Sequence, residues 1–167
     1  MTARMWCTAW ALMAILAGHA QAQTQVHGSA DVFAAPGVGL AWAIARGATE
    51  SDTHVVLRIV SAPAVYPSLA VVGVDPFSKQ EKVWRAAASS AGTLELRIPR
   101  AQFADFPRTE VRLYGGTTPS TAAAPALVVF YLGVPDTTPE FTDGAKLATY
   151  VADRIARIRA TTGIPSP

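Results

Sequence analysis

From Pro36 the chain is a series of short β-like runs, some alternating apolar and polar positions with a period of two and others apolar on both faces, separated at roughly ten-residue spacing by turn chemistry. Residues 38–45 (VGLAWAIA) put Val38, Leu40, Trp42 and Ile44 on one face, with only Gly and Ala on the other. Residues 54–60 (HVVLRIV) are β-branched and apolar on both faces except at Arg58, as in a strand buried from two sides. Pro63 and Pro67 exclude a strand between them, and residues 69–74 (LAVVGV) form the next one. Asp75-Pro76 opens a turn, because proline presets φ. Residues 80–86 then alternate, with Glu81, Val83 and Arg85 opposite Gln80, Lys82 and Trp84, the pattern of a charged edge strand.

The second half repeats the theme. In residues 93–98 (TLELRI), Leu94, Leu96 and Ile98 face inward, and Pro99 ends the run. Residues 100–107 (RAQFADFP) read as one helical turn that anchors Phe103 and Phe106 on the core. Val111 and Leu113 are the inward positions of residues 110–114 (EVRLY). Residues 115–125 are a low-complexity loop, and residues 126–132 (ALVVFYL), apolar on both faces, read as a central strand. From a cap at Thr138-Pro139 or Thr142-Asp143 to about Ala160 the period changes to that of a helix. Leu147, Val151, Ile155 and Ile158 form its apolar stripe, and Gly163 and Pro165 end it. Seven or eight antiparallel strands without βαβ alternation predict a mainly β fold, a β-sandwich with a C-terminal amphipathic α-helix. The unit of strand, anchored turn and strand over residues 93–115 matches the way immunoglobulin-like sheets cross between layers, so that topology is the expectation. The helix stripe must then cover a sheet face or an open end of the sandwich.

The first twenty-two residues follow a different pattern. Arg4 precedes an uncharged apolar run from Trp6 to Ala17, and Ala20-Gln21-Ala22 supplies small residues at −3 and −1. These are the parts of a cleavable secretory leader, which makes Gln23 the first mature residue. The run is about a dozen residues, short of the roughly 20 that span a bilayer, so no membrane span is expected after cleavage. The expected organisation is a signal peptide at 1–22, an N-terminal arm at 23–35, one sandwich domain at 36–160 and a tail at 161–167. The expected location is periplasmic or secreted.

Composition narrows the chemistry. The single cysteine, Cys7, lies inside the leader and not at its cleavage point. A mature chain without thiols has no disulfide, cysteine nucleophile or thiolate metal site. The formal charge of +2 falls to +1 without Arg4, too little for a general nucleic-acid binder. Only His27 and His54 remain after cleavage, which leaves neither a triad nor a zinc set with useful spacing. His54 beside Asp52 reads as a polar strand edge. Cleavage between Gly18 and His19 would expose an amino-terminal histidine suited to copper, but it would put Leu16 at −3, so no metal or cofactor is expected. Asp136 and Glu140 flank the helix start, where carboxylates complement the helix dipole and, alternatively, could form a catalytic pair.

One further pattern concerns partners. At 100° per residue, Lys146, Tyr150, Arg154 and Arg157 form a stripe beside the apolar face. Tyr and Arg are enriched at interface hot spots, although a solvated face explains the same residues. The stripe is the candidate partner-binding surface. The expected function is an exported, non-catalytic binding or accessory module that contacts a protein. The alternatives are a carboxylate-dependent carbohydrate-active enzyme and a small-ligand carrier.

Overall fold

The computed structural model describes residues 33–88, 92–106, 108–116, 126–132 and 139–165. The expected leader, His27, Asp136, Thr138 and most of the 115–125 loop lie outside them. The described residues form two β-sheets packed face to face, with one helix on the outside of the first sheet.

The first sheet has the order β1-β2-β3-β6, and all its neighbours along that path are antiparallel. Its strands are β1 (Phe33–Ala35), β2 (Val38–Ala45), β3 (His54–Ser61) and β6 (Thr93–Pro99). A two-residue strand, β9 (Glu140–Phe141), runs parallel to the end of β2. The second sheet has the order β5-β4-β7-β8, all antiparallel: β4 (Ser68–Val74), β5 (Glu81–Ala88), β7 (Glu110–Gly115) and β8 (Val128–Tyr131). The segment Arg100–Gln102 is a single 3-10 turn on the crossing from β6 to β7, and it buries Phe103 as expected.

The alternating positions meet between the sheets. Leu40, Trp42 and Ile44 of β2 and Val55, Leu57 and Ile59 of β3 face Leu69, Val71, Val111, Leu113 and Phe130. Phe130 stacks on Phe33 at 4.9 Å between ring centroids and tilts against Trp42 at 5.9 Å.

The other face of β2 explains where the helix goes. The helix α1 (Gly144–Thr162) lies over β2 and β3, with Leu147 and Val151 against Ala43 and Val56, and Ile158 against Ala41 and Val60. A Cβ on Gly39 would come within 2.4 Å of Ile158 Cγ2, so the seat is open only because that residue is glycine. Asp143 caps the helix, its carboxylate accepting the N–H of Ala145 at 2.8 Å. Gly163, in the left-handed region at φ 69°, closes the other end.

Several expectations shift. Phe33–Ala35, assigned to a loose arm, is a strand, because a two-residue turn at Pro36-Gly37 folds it back onto β2 and buries Phe33. The tail assigned to 161–167 begins later: the helix runs to Thr162 and Ile164 is buried against Ile158. Ile155 is half-buried at the junction of the two helix contacts, leaving Leu147, Val151 and Ile158 as the fully buried stripe. In β5 a bulge puts Trp84 and Arg85 opposite Val71, so the alternation inverts and Arg85 leaves the Glu81–Val83 face. At the bulge the Trp84 ring lies over Gly73, where a Cβ would come within 2.2 Å of it.

The helix seat gives a direct test. Ile158→Ala should cost about 2–5 kcal/mol in chemical denaturation, and Gly39→Ala about 1–3 kcal/mol through overpacking. Because both changes act on one contact, the double variant should lose clearly less than the sum, and strict additivity would mean that the residues do not touch.

Candidate functional site

The polar chemistry of the described residues gathers at one end of the sandwich. Strand register puts Ala45, His54, Pro99 and Phe141 at that end of the first sheet, and Val74, Glu81, Glu110 and Tyr131 at that end of the second. Three connections meet there: the 46–53 loop, the 75–80 turn and the 100–109 crossing.

On the side of the first sheet the 46–53 loop, the start of the crossing and Glu140 of β9 border a cleft of about 380 Å³, lined by Arg46, Thr49, Glu50, Arg100, Phe106 and Glu140 among others. The loop is built around Thr53, whose buried hydroxyl donates to the Thr49 carbonyl at 3.1 Å and accepts the Gly47 N–H at 3.2 Å. Gly47 is required, since a Cβ there would lie 2.2 Å from Asp52 Cβ. Each carboxylate of the cleft has its own cation. Arg46 Nε donates to Glu140 at 2.8 Å, and Arg100 Nη1 lies 3.5 Å from Glu50. The Arg100 guanidinium also sits 4.2 Å over the Phe106 ring.

On the outer face of the second sheet, Arg112 joins Glu110 and Glu81, the latter at 3.3 Å, and the Tyr131 hydroxyl donates to Glu110 at 2.6 Å. Accepting that bond ties Glu110 to the neutral phenol. The bond, with burial, raises the Tyr131 pKa above its ordinary value. Burial alone would lower Arg112, but hydrogen bonds to Glu110 and Tyr114 leave it raised. A third feature, a slot of about 200 Å³, lies between the 75–80 turn and residues 102–104. Trp84 and Phe103 meet in it edge to face at 4.6 Å, and the Trp84 indole N–H has no acceptor.

The residues singled out in the sequence fare differently. Of the helix stripe, Lys146 is exposed and Arg157 is half-exposed, within 3.6 Å of Asp153. Tyr150 packs on Phe141 at 5.0 Å, and Arg154 lies 4.6 Å over the Tyr150 ring with only 13% of its side chain exposed. The middle of the stripe is therefore partly spent on holding the helix to β9. Asp143, not Glu140, caps the helix, and Glu140 serves the ion pair with Arg46. His54 does meet Asp52, but its Nδ1 lies 2.8 Å from the Asp52 carbonyl, while the Asp52 carboxylate accepts the Thr49 hydroxyl. Among the described residues no group of three or more His, Cys, Asp or Glu is placed to hold a metal, and no helix is long and apolar enough to cross a membrane.

The network of Glu81, Glu110, Arg112 and Tyr131 escaped the sequence reading because it joins three strands. Its only local trace is the i, i+2 spacing of Glu110 and Arg112, which puts both on one sheet face. Comparison of the chain with family models, with curated proteins and with solved structures finds no match.

The tyrosine supplies a pH test with a defined sign. A raised folded-state pKa means the Tyr131–Glu110 bond stabilises the fold below the unfolded value of about 10 and is lost as pH rises through the folded value. Tyrosine-selective NMR titration should give Tyr131 a midpoint above 10.0, moving down in Glu110→Gln. A midpoint at or below the ordinary value would show that the bond does not form.

Proposed function

We propose that the chain is an exported, non-catalytic binding module that acts by contact with a protein partner, in the periplasm or outside the cell. The observation that carries this reading is the pairing in the cleft: Glu140 is bound to Arg46, and Glu50 to Arg100. A glycosidase needs two carboxylates that face a shared substrate, one of them free to carry a proton. Carboxylates held by separate guanidinium groups favour rigid loops over proton transfer. Export rests on Arg4, the apolar run to Ala17 and the Ala20-Gln21-Ala22 site.

The same reading takes the sandwich to be immunoglobulin-like, and strand order supports it. With β2, β3, β4, β5, β6, β7 and β8 lettered A, B, C, C′, E, F and G, sheet A-B-E faces sheet C′-C-F-G. In immunoglobulin-like domains the same B–E and C–F pairs form the two sheet centres. Loops at the ends of such sandwiches are common binding surfaces. The helix contributes a second surface, in which the Tyr150–Arg154 stack sets a fixed platform between Lys146 and Arg157.

A photo-crosslinking side chain in place of Thr161, an exposed position in line with the stripe, tests the contact during export in cells. It should trap one discrete protein band. Lys146→Glu with Arg157→Glu should abolish that band while changing stability by no more than about 1 kcal/mol, as exposed charges do. Turnover of a polysaccharide panel that disappears in Glu140→Gln would contradict the reading.

A further inference from the structure

A terminal strand leaves half of its backbone hydrogen-bonding groups without a partner in the sheet, and natural edges are blunted by brevity, bulges, proline or charge. Among the described residues, most of the sheet ends are blunted. At one end of the first sheet β1 and β9 have three and two residues, and in the second sheet β8 has four and β5 is bulged. The remaining terminal strand, β6, runs for seven residues in unbroken register with β3. Two bonds at the ends of that ladder fix which groups are left over. The Ser61 N–H donates to the Gly92 carbonyl at 3.0 Å, and the Arg100 N–H donates to the Thr53 carbonyl at 2.7 Å. Every second pair of an antiparallel ladder is bonded, so between these limits Leu94, Leu96 and Ile98 bond to β3. Thr93, Glu95 and Arg97 turn their backbone groups to the free edge.

The side chains along this edge are complementary to their own reversal. Glu95 and Arg97 flank Leu96 on the helix-bearing face of the sheet, with 31% and 54% of their side chains exposed. Leu94 and Leu96 point to the core, yet both stay half-buried at the side of the sandwich. With a second β6 laid antiparallel so that the two Leu96 residues are opposite, Glu95 of each copy opposes Arg97 of the other. These are the positions with outward backbone groups, so the same register also makes the hydrogen bonds. On the core side Leu94 meets Ile98. The four charges alternate around a square, each with its opposite along the strand and across it. A slip of two residues opposes Glu95 to Glu95 or Arg97 to Arg97, and a slip of one sets bonded groups against free ones. Within its own chain Glu95 meets Arg58 through Oε2 and Arg97 through Oε1. Each oxygen keeps a second lone pair, and Arg97 uses one N–H there, so both retain capacity for a further partner.

We propose that the chain forms a two-fold symmetric dimer by pairing β6 with β6 of a second copy, joining the two first sheets into one. A two-fold interface brings the same patch of both copies together, so that patch must be self-complementary. A strand that reads Glu-Leu-Arg about its centre meets the condition. The helix stripe leans the other way, toward β9 on the far side of β2, so pairing through β6 leaves it uncovered. The dimer does not rest on the binding-module reading.

Sedimentation velocity of purified protein expressed from the full chain should show a concentration-dependent monomer–dimer equilibrium. Glu95→Arg and Arg97→Glu each set like charges across both pairs, and each should weaken the dimer by about tenfold or more. Mixed in equal amounts, the two variants should recover it, because every arginine of one then faces a glutamate of the other. Hydrogen exchange on the unsubstituted protein needs no variant to fold. It should slow at the amides of Glu95 and Arg97 as concentration rises through the equilibrium, and change little at Leu96, which is already bonded to β3. A monomer up to the solubility limit would overturn the proposal, as would a dimer indifferent to both folded variants or unchanged exchange at Glu95 and Arg97 in the dimer. A dimer lost in Lys146→Glu with Arg157→Glu but kept in the edge variants would overturn it in favour of the helix stripe.

Discussion

The close approach of Ile158 to the backbone of Gly39 is the contact on which the rest of the arrangement depends. Strand β2 is buried on both faces: large side chains point to the sandwich core, and Gly39, Ala41 and Ala43 point to the helix. Small residues bring the helix axis near the sheet, where Leu147, Val151 and Ile158 lose nearly all their water contact. The same strand is bordered by β3 on one side and by both β1 and β9 on the other. Because β9 leads through the Asp143 cap into the helix, docking of α1 also fixes Glu140 beside Arg46. A contact at one end of the helix thereby shapes the rim of a cleft at the other.

The 100–109 crossing plays a comparable part between the two sheets. Phe103 turns toward Trp84 and the slot, while Phe106 lies under Arg100 beside the cleft. One short segment thus borders both the polar cleft and the aromatic slot. The ion pairs around it are mostly exposed and contribute little to stability, about 0–1 kcal/mol each.

Much of the fold could be read from the chain because its main strands are runs of six to eight residues, alternating or β-branched and apolar on both faces, bounded by turn residues. The strands from Val38, His54, Thr93 and Glu110 were legible within a residue or so at each end. Strands β1 and β9 were not, since two or three residues carry no period and gain their structure from pairing with β2. The bulge at Trp84 was hidden for another reason: the ring's seat over Gly73 is on a neighbouring strand, out of reach of any local pattern. The helix stripe was legible as geometry but not as chemistry. Nothing in the spacing of Tyr150 and Arg154 announces Phe141, which draws Tyr150 down onto the sheet. Placement of the helix was implicit in the glycine and alanine face of β2, but sequence alone left a sheet face and an open end equally available.

The central claim is that α1 is an integral layer of the fold and not an appendage, so that helix, β9 and cleft form one cooperative unit. Native-state hydrogen exchange measures this most directly, residue by residue. The account predicts that the amides of Leu147, Val151 and Ile158 open with the same free energy as those of Leu40 and Leu57 in β2 and β3, which is the free energy of global unfolding. Helix amides that exchange through a much cheaper opening, while both sheets remain protected, would contradict it.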